Sequence, residues 1–418
     1  MRIWLITPFE PIPTETEARS MRAGMLAADL AERGHDVVWW TPDFEHYDKR
    51  HRTGSDSRIK VKDNYEVRLV KSLGYRSHVG PRRLLNNHLI ARRWSRLTAG
   101  APRPDLIFSA WPTPDLSLAA VRYGRQNSLP VVIDVRDLWP DLWLGILPPA
   151  LRSTGRLILS RYYRMASEAM AGAAAITGPT SEYVDWALDL CGRARKEADR
   201  PFEFGFEPQQ ADEKSIMAAR ARLKELGHVP DDRVQVVFAG TFGRSFEFDT
   251  ILEAGRRLDG IATGRTRIIL CGSGDRWQQV ADEAKGTDSL RVLPRLSLVE
   301  LQQIYAESSF GLAPYRNIEN FQKNVPNKIN EYLRMGLPIL SGVDGRMADL
   351  ITRHGVGKRY LAGDPDSLAR SIASLSEKPD EIETLRRNVN VHLQDADSTP
   401  PGTRALADHL EGIAERRS

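Results

Sequence analysis

Cysteine is almost absent from this chain of 418 residues: Cys191 and Cys271 are the only two. They stand far apart, without the short spacing of a metal-binding pair, and each lies in or beside an apolar stretch. This gives no basis for a disulfide framework or a cysteine metal site. Two reduced thiols in a reducing compartment are the expectation. Long apolar runs are lacking too, since no uninterrupted stretch approaches the roughly 20 residues that span a bilayer. The opening Met1–Thr7 is apolar but short, and it runs into Pro8 and the acidic, proline-rich segment Glu10–Glu17 rather than a cleavage site. The expected location is the cytoplasm, with the inner face of the membrane as a surface on which the protein can lie. Acids are scarce in one region. The whole chain carries only +4, yet 15 Lys or Arg and just three acids, Asp56, Asp63 and Glu66, fall between Lys49 and Arg103. Such an excess calls for an anionic neighbour: a phosphate-bearing substrate, nucleic acid or an anionic lipid surface. A solvated face without a partner accounts for it equally well.

What is present is a globular composition, 41% hydrophobic and 27% charged. The length suits two or three domains at roughly 150 residues each. The first half alternates strand and helix signals. Strands are expected at Ile3–Thr7, Val37–Trp40, Val67–Val70, Leu106–Ser109, Val131–Val135 and Ala174–Thr177. Helices are expected from Thr14 to Arg33, at Leu116–Gln126 and at Leu157–Met170. The first has a capping box at Thr14 and Glu17, a helical period through Ala18, Met21, Met25, Leu26 and Leu30, and a stop at Gly34. Residues 196–232 are polar and poor in strand signal, and read as the junction after a domain over 1–195. A second alternating series fills 233–395. Its strands are Val234–Gly240, Arg267–Cys271, Leu290–Leu293, Phe310–Ala313 and Pro338–Ser341, and its helices Phe248–Leu258, Trp277–Ala284, Ser297–Ser308 and Asn327–Met335. Ser297 and Glu300 form a further capping box. A last helix, in 396–418, can pack back on the first half. Alternation of this kind specifies an α/β fold with parallel sheets covered on both faces.

Four stretches carry chemistry. Phe238-Ala239-Gly240-Thr241-Phe242-Gly243-Arg244 joins a strand to a helix. Gly240 and Gly243 let the backbone approach a ligand, the helix start favours an anion, and Arg244 offers a fork suited to phosphate. Gly272 and Gly274, after the next strand, allow a second close approach, although a simple strand-to-helix turn explains them as well. Asn327-Lys328-x-x-Glu331 opens a helix that Gly336 ends. Lys328 in its first turn can reach a phosphate, and Glu331 can accept both hydroxyls of a ribose. In the first half, Asp134-Val135-Arg136-Asp137-Leu138-Trp139-Pro140-Asp141 gathers three acids and an arginine at the end of an apolar strand, where open α/β sheets place their sites. Trp139 there suits a stacking floor for a sugar.

These motifs, with Pro326-Asn327-Lys328-x-x-Glu331-Tyr332-Leu333-x-x-Gly336-x-Pro338-Ile339 and the opening Arg22-x-x-x-Leu26-Ala27-x-x-Leu30, resemble glycosyltransferase family 4 over nearly the whole chain. The likeness is to bacterial members that build O-antigen, capsule or exopolysaccharide. It implies the GT-B fold, two Rossmann-like domains facing each other across a cleft. It also implies a retaining, hexosyltransferase-like enzyme. A nucleotide-sugar donor would meet Arg244 and Lys328 at its diphosphate and Glu331 at its ribose. Asp137 and its loop would face the transferred sugar. The acceptor would be a glycan or a lipid-linked saccharide. Catalytic weight thus falls on Asp137, Arg244 and Lys328, and donor binding on Gly240, Gly243, Arg244, Gly272, Gly274, Asn327, Lys328 and Glu331. Neither metal nor cofactor is expected, because cations can stabilise the departing diphosphate. Two departures stand out. Lys323 holds the place, eight before Glu331, where many members carry a first glutamate. Phe246-Glu247-Phe248-Asp249 replaces the usual basic residue after Gly-Arg. A GT-B-like sugar-nucleotide epimerase remains an alternative, and a nucleic-acid-binding protein is a third reading resting on the basic segment alone. That segment, with Leu84, Leu85, Leu89, Ile90 and Trp94 at helical intervals among Arg82, Arg83, Arg92, Arg93 and Arg96, is also the expected membrane-facing helix.

Overall fold

The computed structural model describes residues 1–15, 20–46, 49–76, 80–145, 147–206, 208, 211–397 and 402–416. It divides into two compact units, one of Met1–Phe204 with Pro400–Ser418 and the other of Gly205–Thr399.

The first unit runs β1 (Arg2–Ile6), α1 (Arg22–Glu32), β2 (Asp36–Pro42), β3 (Ser57–Lys62), β4 (Tyr65–Val70), α2 (Pro81–Thr98), β5 (Leu106–Trp111) and α3 (Pro114–Gln126). It continues through β6 (Val131–Val135), α4 (Asp141–Leu144), α5 (Arg152–Ile158), α6 (Ser160–Gly172), β7 (Ala175–Gly178), α7 (Ser181–Cys191) and β8 (Arg200–Pro201). The sheet order is β3-β4-β2-β1-β5-β6-β7-β8. Every pair is parallel except the edge hairpin β3–β4. All five residues of β6 are buried, as a parallel strand covered on both faces requires. β3 alternates exposed Arg58, Lys60 and Lys62 with half-buried neighbours, so its charges guard an open edge.

The second unit holds α8 (Glu213–Glu225), β9 (Val234–Thr241), α9 (Phe248–Ile261), β10 (Thr266–Ser273), α10 (Trp277–Glu283), β11 (Leu290–Leu293), α11 (Leu298–Glu307) and β12 (Phe310–Ala313). After these come α12 (Glu319–Gln322), α13 (Asn327–Arg334), β13 (Ile339–Ser341), α14 (Arg346–His354), β14 (Gly357–Arg359), α15 (Pro365–Ser376) and α16 (Pro379–Asp397). Its sheet, β11-β10-β9-β12-β13-β14, is parallel throughout. The Ser297 capping box forms with both of its hydrogen bonds. The stretch 196–232 is not a bare junction: it contributes β8 to the first sheet and α8, which packs on α11.

Two elements differ from what the sequence leads one to expect. The first helix starts at Arg22, not Thr14; Glu17 and Ala18 lie outside the described residues. Its start is pinned by Arg22, whose guanidinium is buried in an ion pair, and by Glu10, whose carboxylate accepts the Ala23 amide at 2.8 Å. The expected helix Leu157–Met170 is two helices, α5 and α6, separated at Leu159. The last helix, α17 (Gly402–Glu415), packs on α1 within the first unit. It buries Leu406 and Leu410 completely beside Leu26 and Leu30. Each such leucine contributes about 1.5–3 kcal/mol. Ion pairs from Arg33 to Asp408 and Glu411 fix its register.

Candidate active site

Strand β9 ends in Gly240 and Thr241, and β10 ends beside it at Gly272 and Ser273, paired in register. The two loops that follow are laced together. The Phe242 amide donates to the Ser273 carbonyl at 2.8 Å, and the Arg276 amide to the Phe242 carbonyl at 3.0 Å. Glycine is obligatory in this lacing. A Cβ on Gly272, with φ +151, would sit 1.8 Å from the Gly240 carbonyl oxygen; one on Gly274, with φ +141, would meet the Phe242 backbone at 2.8 Å. Gly240 is different. Its Cβ would lie 2.7 Å from the Lys328 ammonium, so the missing side chain is what lets Lys328 lie at the end of β9. Gly243 faces open space, with nothing within 4 Å of a Cβ. Arg244 beside it is exposed and forms no hydrogen bond or ion pair with the described residues.

Lys328 is held there by its helix. Pro326 is the extended N-cap of α13 and Asn327, half-buried, its first residue. Tyr332, one turn on, is fully buried. Its hydroxyl donates to the Leu312 carbonyl at 3.2 Å and accepts the Ala239 amide at 3.3 Å, fastening α13 to β12 and β9. Its ring occupies the space that a side chain on Gly311 would fill. The Lys328 ammonium then lies 4.8 Å from the Phe238 ring centroid, a contact that favours a cation. Glu331 is buried, only 3% exposed, and accepts a hydrogen bond from the Tyr305 hydroxyl at 3.0 Å. It is therefore neither a surface charge nor wholly open, because Tyr305 orients it. Burial pushes the neighbouring Cys271 thiol up to about 12, with Lys328 pulling the other way. Cys271 is thus a neutral thiol, inert at neutral pH. Lys323 pairs with Glu319 at 2.7 Å across one turn. The structure thus brings together Gly240, Gly272, Gly274, Asn327, Lys328 and Glu331, with Gly243 and Arg244 on the adjoining loop. This is a cationic cradle at the carboxyl end of a parallel sheet.

In the first unit the Asp134–Asp141 loop follows β6, and its residues separate into different tasks. Asp134 is fully buried. It accepts from both Arg22, at 3.0 Å, and the Thr177 hydroxyl, at 2.8 Å, and its second oxygen accepts from Arg136, also at 2.8 Å. Burial alone would raise its pKa, but Arg22 and Arg136 outweigh it and hold it below the ordinary carboxylate value. Arg136 also pairs with Glu10. Asp141 accepts from Trp186 Nε1 at 2.7 Å and from the Tyr163 hydroxyl. Both acids are therefore structural. Asp137 is half-buried, and its charge acts on Arg83, whose burial lowers its pKa. Trp139 is not an open sugar floor: it is 4% exposed, packed 4.3 Å from Trp143 and capped by the Arg83 guanidinium at 4.7 Å. The Nη2 of Arg136 is buried without a hydrogen-bond partner among the described residues.

Helix α2 splits the expected membrane-facing set. Ile90 and Trp94 are core, at 4% and 1% exposure, and Arg83 is buried as well. Arg93 is tied to Asp56 at 2.6 Å. Arg82, Leu85, Leu89, Arg92 and Arg96 remain exposed along one stripe. Among the described residues no helix is long and apolar enough to cross a membrane, and no group of His, Cys, Asp or Glu is arranged to hold a metal ion.

Two family models match the chain. The glycosyl transferase 4-like domain covers residues 20–198, and the glycosyl transferases group 1 model covers 233–378. No curated protein matches it in sequence. Several solved structures share its fold. Sucrose-phosphate synthase from Thermosynechococcus elongatus is 15% identical, with a TM-score of 0.69 over 100% of this chain and 97% of that one. WaaG, a glycosyltransferase involved in lipopolysaccharide biosynthesis, is 15% identical, with a TM-score of 0.68 over 99% of this chain and 100% of its own. HepE from Anabaena, solved with UDP and glucose, is 14% identical, with a TM-score of 0.62 over 100% of this chain and 99% of its own. The 4-like domain falls on the first unit and the group 1 domain on the second, each an α/β unit with a largely parallel sheet. The chain belongs to the GT-B glycosyltransferases of this 4-like and group 1 family.

Proposed function

We propose that the protein transfers a sugar, with retention of configuration, from a nucleotide-sugar donor to a glycan or lipid-linked acceptor in bacterial surface polysaccharide synthesis. The observation that carries the donor assignment is the seating of the Lys328 ammonium against Gly240 at the end of β9, with Glu331 one turn further along α13. In this reading Lys328 and Arg244 hold the diphosphate and stabilise its negative charge as it leaves. Glu331, oriented by Tyr305, accepts the ribose hydroxyls. Asp137 and the unpartnered Nη2 of Arg136 meet the transferred sugar or the acceptor hydroxyl. The departing phosphate takes the acceptor proton, so the protein supplies position and charge rather than a nucleophile. The two cations do the work of a metal ion. HepE, of the same fold, was solved with UDP-glucose, which makes uridine nucleotides the first probes.

The test is release of nucleoside diphosphate from a panel of sugar nucleotides, in the presence of a lipid-linked or oligosaccharide acceptor and of EDTA. Acceptor-dependent release that survives EDTA, with the anomeric configuration of the donor kept in the product, supports the reading. Release that requires a divalent ion, or an inverted product, overturns the mechanism.

A further inference from the structure

Among the described residues, the most exposed large apolar side chains of the first unit do not lie on α2. Leu157 and Ile158, at the end of α5, are 74% and 75% exposed, and Leu151 just before it is 53% exposed. Six of seven residues of α5 are exposed; only Gly155 is buried. The reason is steric. A Cβ on Gly155 would lie 2.5 Å from Leu147 Cδ1 and 3.0 Å from Leu144 Cδ2. The helix therefore rests on those two leucines by its glycine and turns its other sides outward. Leaving a leucine and an isoleucine in water forgoes the stabilisation that burial would give, and an exposed apolar group rimmed by polar residues marks a binding surface.

The charge around this element is of one sign. From Leu142 to Ser167 there are four arginines, Arg152, Arg156, Arg161 and Arg164, and not one acid. All four are exposed. The first turn of α2 lies beside this element. Arg83, in the first turn of α2, stacks on Trp139; Trp139 packs on Trp143, and Trp143 lies 5.2 Å from Tyr162 of α6. Helix α2 also has no acidic residue from Pro81 to Thr98. Two neighbouring elements thus combine protruding aliphatics with exposed arginines. This is the chemistry of an element that lies in the head-group region of an anionic bilayer: cations toward lipid phosphates, aliphatics into the acyl boundary.

We propose that α5 with its flanks is a membrane-inserting element. Leu151, Leu157 and Ile158 enter the interface of a bilayer rich in anionic lipid, and α2 adds electrostatic contact through Arg82 at its start. The proposal rests on the lipid-linked side of the acceptor assignment above and identifies the surface on which that acceptor is met. Electrostatics brings the protein to the surface and fades with salt, because screening shortens to about 8 Å at physiological ionic strength. Insertion of the aliphatics resists salt.

The test is flotation of the full-length protein with vesicles of phosphatidylcholine alone and with 40% phosphatidylglycerol. The variants are Leu157→Ser with Ile158→Ser, and Arg152→Ser with Arg156→Ser. These side chains are exposed, and an unchanged melting temperature verifies each fold. Wild type binds the anionic vesicles and not the neutral ones. The aliphatic pair lowers the partition coefficient by about tenfold or more, and the residual binding becomes fully salt-sensitive. The arginine pair lowers binding at low salt most. Equal binding to both vesicle types, no binding to anionic vesicles at low salt, or an aliphatic variant that binds like wild type overturns the proposal. So does wild-type dimerisation that the aliphatic variant abolishes without vesicle binding, because the patch then covers a second copy. Nucleotide affinity of the same variants is measured alongside. In wild type, intact nucleotide affinity with absent vesicle binding contradicts the membrane proposal alone, whereas absent nucleotide binding contradicts the donor assignment.

Discussion

Replacing Gly240 by alanine disturbs one thing at the proposed phosphate site. The new Cβ would stand 2.7 Å from Lys328 Nζ, 3.3 Å from its Cε and 3.4 Å from Phe238 Cζ. Only the first contact is prohibitive, and it falls on the far end of a flexible side chain, so Lys328 must withdraw while the strand stays. Gly240 is not among the glycines with positive φ, and an alanine there restricts the unfolded chain by about 0.4–1 kcal/mol in favour of folding. Stability is therefore held within about 1 kcal/mol. The displaced ammonium is a lost charged hydrogen-bond partner, about 1.5–3 kcal/mol, or about 10- to 150-fold in Kd. Calorimetric titration with UDP, or whichever nucleoside diphosphate binds wild type, gives the affinity, and scanning calorimetry gives the stability. Gly272→Ala is the contrast, since its Cβ would collide with backbone at 1.8 Å in a positive-φ conformation and should lower the melting temperature. Gly240→Ala combined with Lys328→Ala should weaken binding little more than either alone, as both remove one interaction. A well-folded Gly240→Ala protein with wild-type affinity would refute the placement of Lys328 at the diphosphate.

Glu331→Gln should lower turnover with every donor sugar on one nucleotide by a similar factor, because ribose is common to all; kinetics that discriminate between sugars place Glu331 at the sugar instead. Asp134→Asn leaves Arg22 buried with its main charge partner gone, and should cost about 3–5 kcal/mol of stability in denaturant titration. Asp134 is held below its ordinary pKa by Arg22 and Arg136 despite burial. Its stabilisation is therefore complete above the unfolded value near 3.9 and is lost as pH falls below it through the folded pKa. The Asp134→Asn protein should show a shallower acid limb below about pH 4, and an unchanged limb contradicts the assignment.

Much of the fold was legible because parallel strands covered on both faces are written as apolar runs. Val131–Val135 and Phe310–Ala313 occupy the spans expected of them. The glycine loops and the helix opening at Asn327 were also plain, since glycine and N-terminal residues mark backbone requirements locally. What escaped was settled at a distance. β3, as Ser-Arg-Ile-Lys-Val-Lys, looks like polar loop, and pairing with β4 at a sheet edge makes it a strand. Asp134 looks like a site residue until Arg22, 112 positions away, closes on it. Trp139 looks like a sugar floor until Trp143 and Arg83 cover it. Tyr305, which orients Glu331, carries no motif at all. Helix α5, before the break at Leu159, rests through Gly155 on Leu144 and Leu147, a contact that exists only in the folded chain.

The most direct test of the central claim is a thermal-shift screen of nucleoside diphosphates and sugar nucleotides against wild type and the Arg244→Ala, Lys328→Ala double variant. A ligand present at about 100 times its Kd adds about 2.7 kcal/mol to wild type. At least one nucleotide series should raise the wild-type melting temperature and leave that of the double variant unmoved. Equal stabilisation of both proteins, or none of wild type by any nucleotide, would contradict that claim.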